Sequence, residues 1–325
     1  RDSRGDPDFA GVCHCGNDLR TGPNFAGERN MTPKPSLAAR LAQKQILVAP
    51  GIYDGLTATL AAQAGFEALY LSGAAVAYTR LGRPDIGLTS VSEMAETMAL
   101  VADRVDLPVI IDADTGFGNA LNAQRTMRTY ERAGASALQV EDQTYPKRCG
   151  HLSDKSLISK AEMAGKISAM ADTRRDAATL IIARTDAIAV EGFAAAIDRA
   201  GAYLDAGADV LFIEAPRTGE ELAAITAEFG ARAPLLANMV EGGATPIQSA
   251  QDLERIGFSI VIFPGGVVRA LAKTAQEYYT SLQANGSNKP FADRMFDFDG
   301  LNSRIGTRDM LTTGQRFDGS DTGGR

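Results

Sequence analysis

From Ala38 onward one pattern repeats along the chain: an amphipathic helical stretch, a short turn, then a short apolar or β-branched run that ends in polar residues or glycine. Eight such runs stand at 46–49, 68–71, 108–111, 137–140, 180–183, 210–213, 234–237 and 260–263. Each reads as a strand. The intervening stretches read as helices, because Ser90 with Glu93, Ser159 with Glu162 and Thr218 with Glu221 have the three-residue spacing of a capping box. Ala-Gly steps at Ala64-Gly65, Ala133-Gly134 and Ala206-Gly207 supply the positive-φ stop that ends a helix before the next strand.

Strands that alternate with helices imply a parallel sheet, and near-continuous apolar strands imply a sheet covered on both faces. Eight βα units favour a closed (β/α)8 TIM barrel, and no Gly-x-Gly-x-x-Gly follows the first strand as a dinucleotide fold would show. In such a barrel the chemistry belongs at the C-terminal ends of the strands.

Composition narrows the function classes. The chain has 325 residues, 45% hydrophobic and 22% charged, which is ordinary for a globular protein. A net charge of −7 without any basic stripe argues against a nucleic-acid partner. The apolar runs are too short to cross a bilayer, so no membrane partner is expected. Three cysteines, two of them at Cys13 and Cys15, form no disulfide framework and suit a reducing, cytoplasmic compartment. Residues 1–30 lack periodicity and read as an extension before a plausible start at Met31; Cys13-His14-Cys15 offers too few spaced ligands for a zinc site. One folded unit is expected over 31–317, with 318–325 a polar, glycine-rich disordered tail.

The strand ends carry the candidate chemistry. Strand two ends Tyr70-Leu71-Ser72-Gly73-Ala74, and strand three ends Asp112-Ala113-Asp114-Thr115-Gly116. Alternation puts Asp112 and Asp114 on one face, where two buried carboxylates repel unless a cation lies between them. A hard divalent ion solves this, with one Asp bound directly and the rest through water; helix capping or solvated loop acids are the alternative. Glu141 and Asp142 on strand four and Asp85 after strand two add to the acidic set. Arg184 on strand five is a fork for a substrate carboxylate or a salt-bridge partner of Glu214, and strand seven ends Asn238-Met239-Val240-Glu241. After strand four, Lys147-Arg148-Cys149-Gly150-His151 gathers base, thiol and imidazole in one loop; a lone Cys is otherwise an inert small hydrophobe.

Asp-x-Asp-x-Gly-x-Gly after strand three, Glu-Asp-Gln-x-x-x-Lys-Arg-Cys-Gly-His after strand four, Ala-Arg-Thr-Asp-Ala on strand five and Asn-Met-x-Glu on strand seven resemble the isocitrate lyase and phosphoenolpyruvate mutase superfamily. The resemblance runs from about Ala38 to the Met310 region, and Lys147 to His151 resembles its carbon–carbon lyase branch. It implies Mg²⁺, with Mn²⁺ as a substitute, held directly by Asp114 and through water by Asp85, Asp112 and Glu141. It further implies an α-oxo-acid carboxylate received by Ser72, Gly73 and Ala74, where Ala74 replaces the second glycine of methylisocitrate lyases. Asp85, Gly150, Arg184, Glu214 and Asn238 are the implied substrate contacts. Cys149 is the implied general acid; Lys147, Arg148 and His151 stand beside it, and Tyr70 is the candidate base.

The implied reaction is cleavage of a 2-hydroxy di- or tricarboxylate to an α-oxo acid and a second carboxylate. Val240 and Gly242 depart from the hydroxyl and aromatic residues of methylisocitrate lyases and point to 2-alkylmalates, whereas 187–192 reads like methylisocitrate lyase. A methylisocitrate lyase proper, an oxaloacetate hydrolase, a phosphoenolpyruvate mutase-like isomerase and a non-catalytic acid-binding barrel remain the alternatives. The resemblance also implies a homotetramer, with the C-terminal part, including a helix over 303–315, packed on a neighbouring subunit.

Overall fold

The computed structural model describes residues 36–148, 155–243, 245–246 and 248–318. Residues 1–30, most of the 318–325 tail and the Cys13-His14-Cys15 cluster therefore lie outside the described residues. Eight parallel strands, β1 (Leu47–Ile52), β2 (Leu69–Leu71), β3 (Val109–Asp112), β4 (Ala137–Glu141), β5 (Leu180–Thr185), β6 (Val210–Ile213), β7 (Leu235–Asn238) and β8 (Ile260–Phe263), close in chain order, with β1 paired to β8. The (β/α)8 barrel expected from the pattern is the fold.

Strand alternation divides the core in two. Ala49, Tyr70, Ile110, Ile182, Phe212, Leu236 and Ile262 fill the barrel interior, and Leu37 and Leu41 of the short helix Leu37–Leu41 belong to the same cluster and close its lower end. The alternate positions, such as Ile52, Leu71, Ile111, Leu138 and Ile181, face the helices together with Met94, Met127, Ile167 and Tyr203. A sheet apolar on both faces has to be covered on both, and here one covering is the barrel's own interior.

Several strands extend past the point where the apolar pattern stops. β1 continues through Pro50 and Gly51, which pair with Phe263 and Tyr70, and β5 continues through Arg184 and Thr185, which pair with Phe212 and Ile213. Polar or ring residues end an apolar run without ending the backbone ladder, so strand ends at a barrel mouth are longer than their hydrophobicity. Gly51 permits this at a crowded corner, since a Cβ there would sit 2.2 Å from the Pro264 carbonyl oxygen.

Ser90 and Glu93 form a reciprocal capping box on the helix Val91–Arg104. Ser159 and Thr218 cap the amides of Glu162 and Glu221, while the reciprocal boxes on other helices are made by Asp54 with Thr57 and Asn119 with Asn122. Gly65, Gly134 and Gly207 all adopt positive φ at helix ends, at 89°, 95° and 105°.

The C-terminal part differs from the single helix expected over 303–315. Gly306, with φ 77°, breaks it into Phe298–Ile305 and Thr307–Gln315. The first of these docks on its own barrel: Gln63 Nε2 donates to the Arg304 carbonyl and Arg104 Nη2 to that of Ile305, both at 2.7 Å. The 20-residue helix Gly266–Asn285 that precedes them buries only Val268. No described helix is long and apolar enough to cross a membrane.

Gly51→Ala is expected to destabilise the protein by about 1–3 kcal/mol, because the added methyl must push the β8 end away. Urea unfolding of the two proteins checks this.

Candidate active site

The barrel mouth is assembled by register. Glu141 on β4 stands opposite Arg184 on β5, and Arg184 opposite Phe212 on β6. Cross-strand neighbours on one face touch, so Arg184 Nε lies 3.3 Å from Glu141 Oε2 and its guanidinium carbon 5.0 Å from the centre of the Phe212 ring. Beyond Phe212 and Leu236, which pair, come Glu214 and Asn238, where Asn238 Nδ2 donates to both Glu214 oxygens at 3.2 and 3.3 Å. Deeper in the barrel the Tyr70 hydroxyl donates to Gln139 Oε1, and Gln139 Nε2 reaches Asp112 Oδ1 at 3.5 Å.

The acids are held by a cation of the chain itself. Lys147 Nζ lies 2.6 Å from Asp85 Oδ1 and 2.8 Å from Asp114 Oδ1, with the lysine side chain 4% exposed. Asp112 accepts from the amides of Asp114 and Gly73 at 3.1 and 3.3 Å. Gly73 allows that approach, because a Cβ there would meet Asp112 Oδ2 at 3.0 Å. Asp114 itself adopts φ 45°, a backbone region uncommon outside glycine and one that collects at functional sites.

Burial dominates the electrostatics. It pushes the Asp114 carboxyl up to about 7 against the pull of Lys147, with Asp112 and Asp85 adding to the rise. Burial likewise lifts Glu141 well above the usual carboxylate range, opposed by Arg184. Lys147 is lowered by burial but raised further by Asp114 and Asp85, so it stays charged. The Tyr70 phenol is raised well above its ordinary value by burial and then by Asp112. In metal-free protein the phenol keeps its proton and donates it to Gln139.

Asp142 leaves the acidic set. Its carboxylate turns away from the mouth to accept from Thr185 Oγ1 at 2.7 Å, the Tyr203 hydroxyl at 2.8 Å and the Asp186 amide at 2.9 Å, with Arg199 Nη1 at 3.4 Å. Neighbouring residues on a strand face opposite sides, so Glu141 and Asp142 cannot share one site. The loop after β4 is closed at its base by Thr144 N donating to Ser156 O at 2.8 Å and Ile158 N to Asp142 O at 2.9 Å. Gln143 clamps the Arg148 backbone from both sides, at 2.9 and 3.0 Å, while the Arg148 side chain is exposed. Cys149, Gly150 and His151 lie outside the described residues.

Of the expected residues, Tyr70, Ser72, Ala74, Asp85, Asp112, Lys147, Arg184, Glu214 and Asn238 line one cavity. Gly73, Asp114 and Glu141 adjoin these residues through the contacts above. Ser72 has a second duty, since its Oγ caps the amide of Ala75 at 3.2 Å. The sequence reading missed Tyr78 and Arg269, which also line the cavity, and Gln139 and Asp186, which orient Tyr70 and Arg184. The polar position of Gln139 in an otherwise apolar strand was the available signal; Arg269, paired with Glu241 at 2.7 Å, had none.

For a divalent metal the donor chemistry fits. Asp85, Asp112, Asp114 and Glu141 are buried hard oxygen donors, and Glu141 Oε1 and Asn238 Oδ1 are buried without a hydrogen-bond partner. Among the described residues no three His, Cys, Asp or Glu side chains converge as a ready cage.

A model of the phosphoenolpyruvate phosphomutase family matches residues 37–283. The chain belongs to the phosphoenolpyruvate mutase/isocitrate lyase superfamily. It is 45% identical over 285 residues to the 2-methylisocitrate lyase of Aeropyrum pernix, covering 86% of this chain and 90% of that protein. It is 41% identical over 266 residues to the 2,3-dimethylmalate lyase of Eubacterium barkeri, covering 82% and 91%. A crystal structure of 2,3-dimethylmalate lyase, itself described as a member of this superfamily, aligns with a TM-score of 0.82 at 34% identity, over 89% of this chain and 96% of that one. These relatives indicate a carbon–carbon lyase of the isocitrate lyase superfamily.

In metal-free protein, Asp114 should titrate near pH 7. An unfolded Asp loses its proton near pH ~4, so the folded form binds the extra proton between about 4 and 7, and stability from this group falls as pH rises through that window. Carboxyl ¹³C shifts read the titration directly. Asp114→Asn should flatten the slope of stability against pH between about 5 and 7.

Proposed function

We propose that the protein cleaves the C2–C3 bond of a 2-hydroxy acid of the 2-alkylmalate type, releasing an α-oxo acid such as pyruvate and a second carboxylate. The observation that carries this reading is the mixed lining of the cavity. Its lining combines the charged Asp85, Asp112, Lys147, Arg184 and Arg269 with the apolar Val240, Ile262 and Pro264. Charged groups suit the hydroxy-acid end, and a hydrocarbon wall suits an alkyl branch rather than a third carboxylate.

Mg²⁺, held by Asp114 and, through water, by Asp85, Asp112 and Glu141, would act as the Lewis acid for the hydroxyl and the adjoining carboxylate. Lys147 keeps Asp85 and Asp114 close together, and Arg184 offers its guanidinium to a carboxylate. Ser72, Gly73 and Ala74 form the turn beside Asp112 on which the α-oxo-acid carboxylate rests. As the C2–C3 bond breaks, the 2-hydroxyl proton passes to one of the buried carboxylates Asp85, Asp112, Asp114 or Glu141, the bonding pair stays on the departing carboxylate, and that carbanion equivalent takes a proton from Cys149, with Arg148, Gly150 and His151 in the same loop. Tyr70 acts as a protonated phenol that orders Gln139 and Asp112.

The substrates and partners follow from this reading: a small hydroxy or oxo acid, and further copies of the chain. Helix Gly266–Asn285, with one buried residue, and the exposed Phe298, Leu301, Met310 and Leu311 present an apolar face that a second subunit would cover.

Turnover of 2,3-dimethylmalate, 2-methylmalate, 2-methylisocitrate and oxaloacetate with Mg²⁺ tests the substrate. The alkylmalates are expected to be cleaved best, and Cys149→Ser to lower kcat by about a hundred- to ten-thousand-fold with metal binding intact. A wide preference for 2-methylisocitrate would replace the substrate proposed. Sedimentation velocity should give a species larger than the monomer, and a strictly monomeric protein would remove the self-association.

A further inference from the structure

Another lysine with a buried side chain, Lys155, stands just outside the cavity. Lys155 leaves the base of the loop after β4, one residue before Ser156, whose carbonyl accepts from Thr144 N. Its Nζ lies 2.8 Å from Asp186 Oδ1, with the lysine side chain 2% exposed and the aspartate fully buried. The same carboxylate takes Arg184 in two-point fashion: Nε donates to Oδ2 at 2.9 Å and Nη2 to Oδ1 at 3.0 Å. Asp186 is fixed in turn through its amide, which donates to Asp142 Oδ1 at 2.9 Å. Arg184 lines the cavity; Lys155 and Asp186 do not.

We propose that Lys155 is a positioning residue for Arg184, acting through Asp186. This rests on the reading of Arg184 as a carboxylate-binding group. Asp186 divides its charge between Arg184 and Lys155, and Arg184 also has Glu141 at 3.3 Å, so the share that Lys155 takes sets how much attraction Arg184 keeps for an incoming anion. Burial alone would raise the Asp186 carboxyl, but Arg184 and Lys155 together hold it at about 2. Asp186 is therefore a permanent anion between them. Without Lys155 the whole of that charge falls on Arg184, which already faces Glu141 at 3.3 Å. The guanidinium is then neutralised inside the protein and loses its grip on a ligand. The fork geometry adds to this, because Asp186 engages Nε and Nη2 and so sets the plane in which the remaining N–H groups are offered.

The experiment uses the full chain with Mg²⁺ and compares wild type, Lys155→Met and Lys155→Arg. Oxalate binding by calorimetry provides a readout free of turnover, and steady-state kinetics on the best substrate of the panel provides the second. Lys155→Met is expected to weaken oxalate binding and to raise KM by about tenfold, the scale of coupling between neighbouring charged groups, with a smaller change in kcat. Lys155→Arg, which keeps the cation, should restore both. The Arg184 Nε–H resonance should move in Lys155→Met and return in Lys155→Arg. Should the methionine variant fail to fold, Lys155→Gln takes its place in the same comparison. Unchanged oxalate affinity and KM in Lys155→Met, no recovery in Lys155→Arg, or no oxalate binding to wild type would overturn the proposal. A protein that binds oxalate with this dependence on Lys155 yet turns over none of the panel would sink the function reading and leave the positioning role standing.

Discussion

The structure depends on neutralising carboxylates that the barrel has taken out of water. Asp85, Asp112, Asp114, Glu141, Asp142, Asp186 and Glu214 are all buried, and a buried carboxylate without a partner is strongly penalised. Each has an answer on the chain: Lys147 for Asp85 and Asp114, the Asp114 and Gly73 amides for Asp112, Arg184 for Glu141, Arg184 and Lys155 for Asp186, Asn238 for Glu214, and a hydrogen-bonded cage for Asp142. The answer is incomplete at Asp114 and Glu141, where burial still outweighs the neighbouring cations and holds the carboxyls towards the protonated form. Buried carboxyls shifted this far from their ordinary range mark the mouth, rather than any surface patch, as the candidate place for chemistry.

Parallel register is the means by which the charges are arranged. Successive strands present inward residues at matching heights, so Glu141, Arg184 and Phe212 form a row without any loop to position them. Groups carried by strands hold their places more tightly than groups carried by loops. The loop residues at the site are then fixed against this row: Lys147 by two carboxylates and Lys155 by Asp186, one on each side of the residues that include Cys149.

Asp142 serves the same arrangement from the outer face. By accepting from Thr185, Tyr203 and the Asp186 amide, it ties the end of β4 to that of β5 and to the helix Phe193–Asp205. Arg199 joins this cage and also pairs with Glu191 at 2.7 Å. The polar groups at the strand ends thus divide by face: inward ones meet the cavity, and outward ones brace the strands that carry it.

The repeat of helix and apolar run was sufficient to give eight strands, their parallel direction and the closed barrel, because burial of a sheet on both faces writes itself into local hydrophobicity. The acids and the arginine at the strand ends were legible for a related reason: charge interrupts the apolar run where the strand reaches the barrel mouth. The strand end at Gly51 and Ile52 was not legible, since a backbone ladder continues through residues that no hydropathy pattern marks. The exclusion of Asp142, the pairing of Lys155 with Asp186 and the entry of Arg269 into the cavity belong to tertiary structure alone. Asp142 sits one residue from Glu141 in sequence and on the opposite face in space, while Lys155 is separated from Asp186 by 31 positions and meets it at 2.8 Å. Distance along the chain sets neither direction nor contact; closure of the barrel sets both, by bringing every strand end to one mouth.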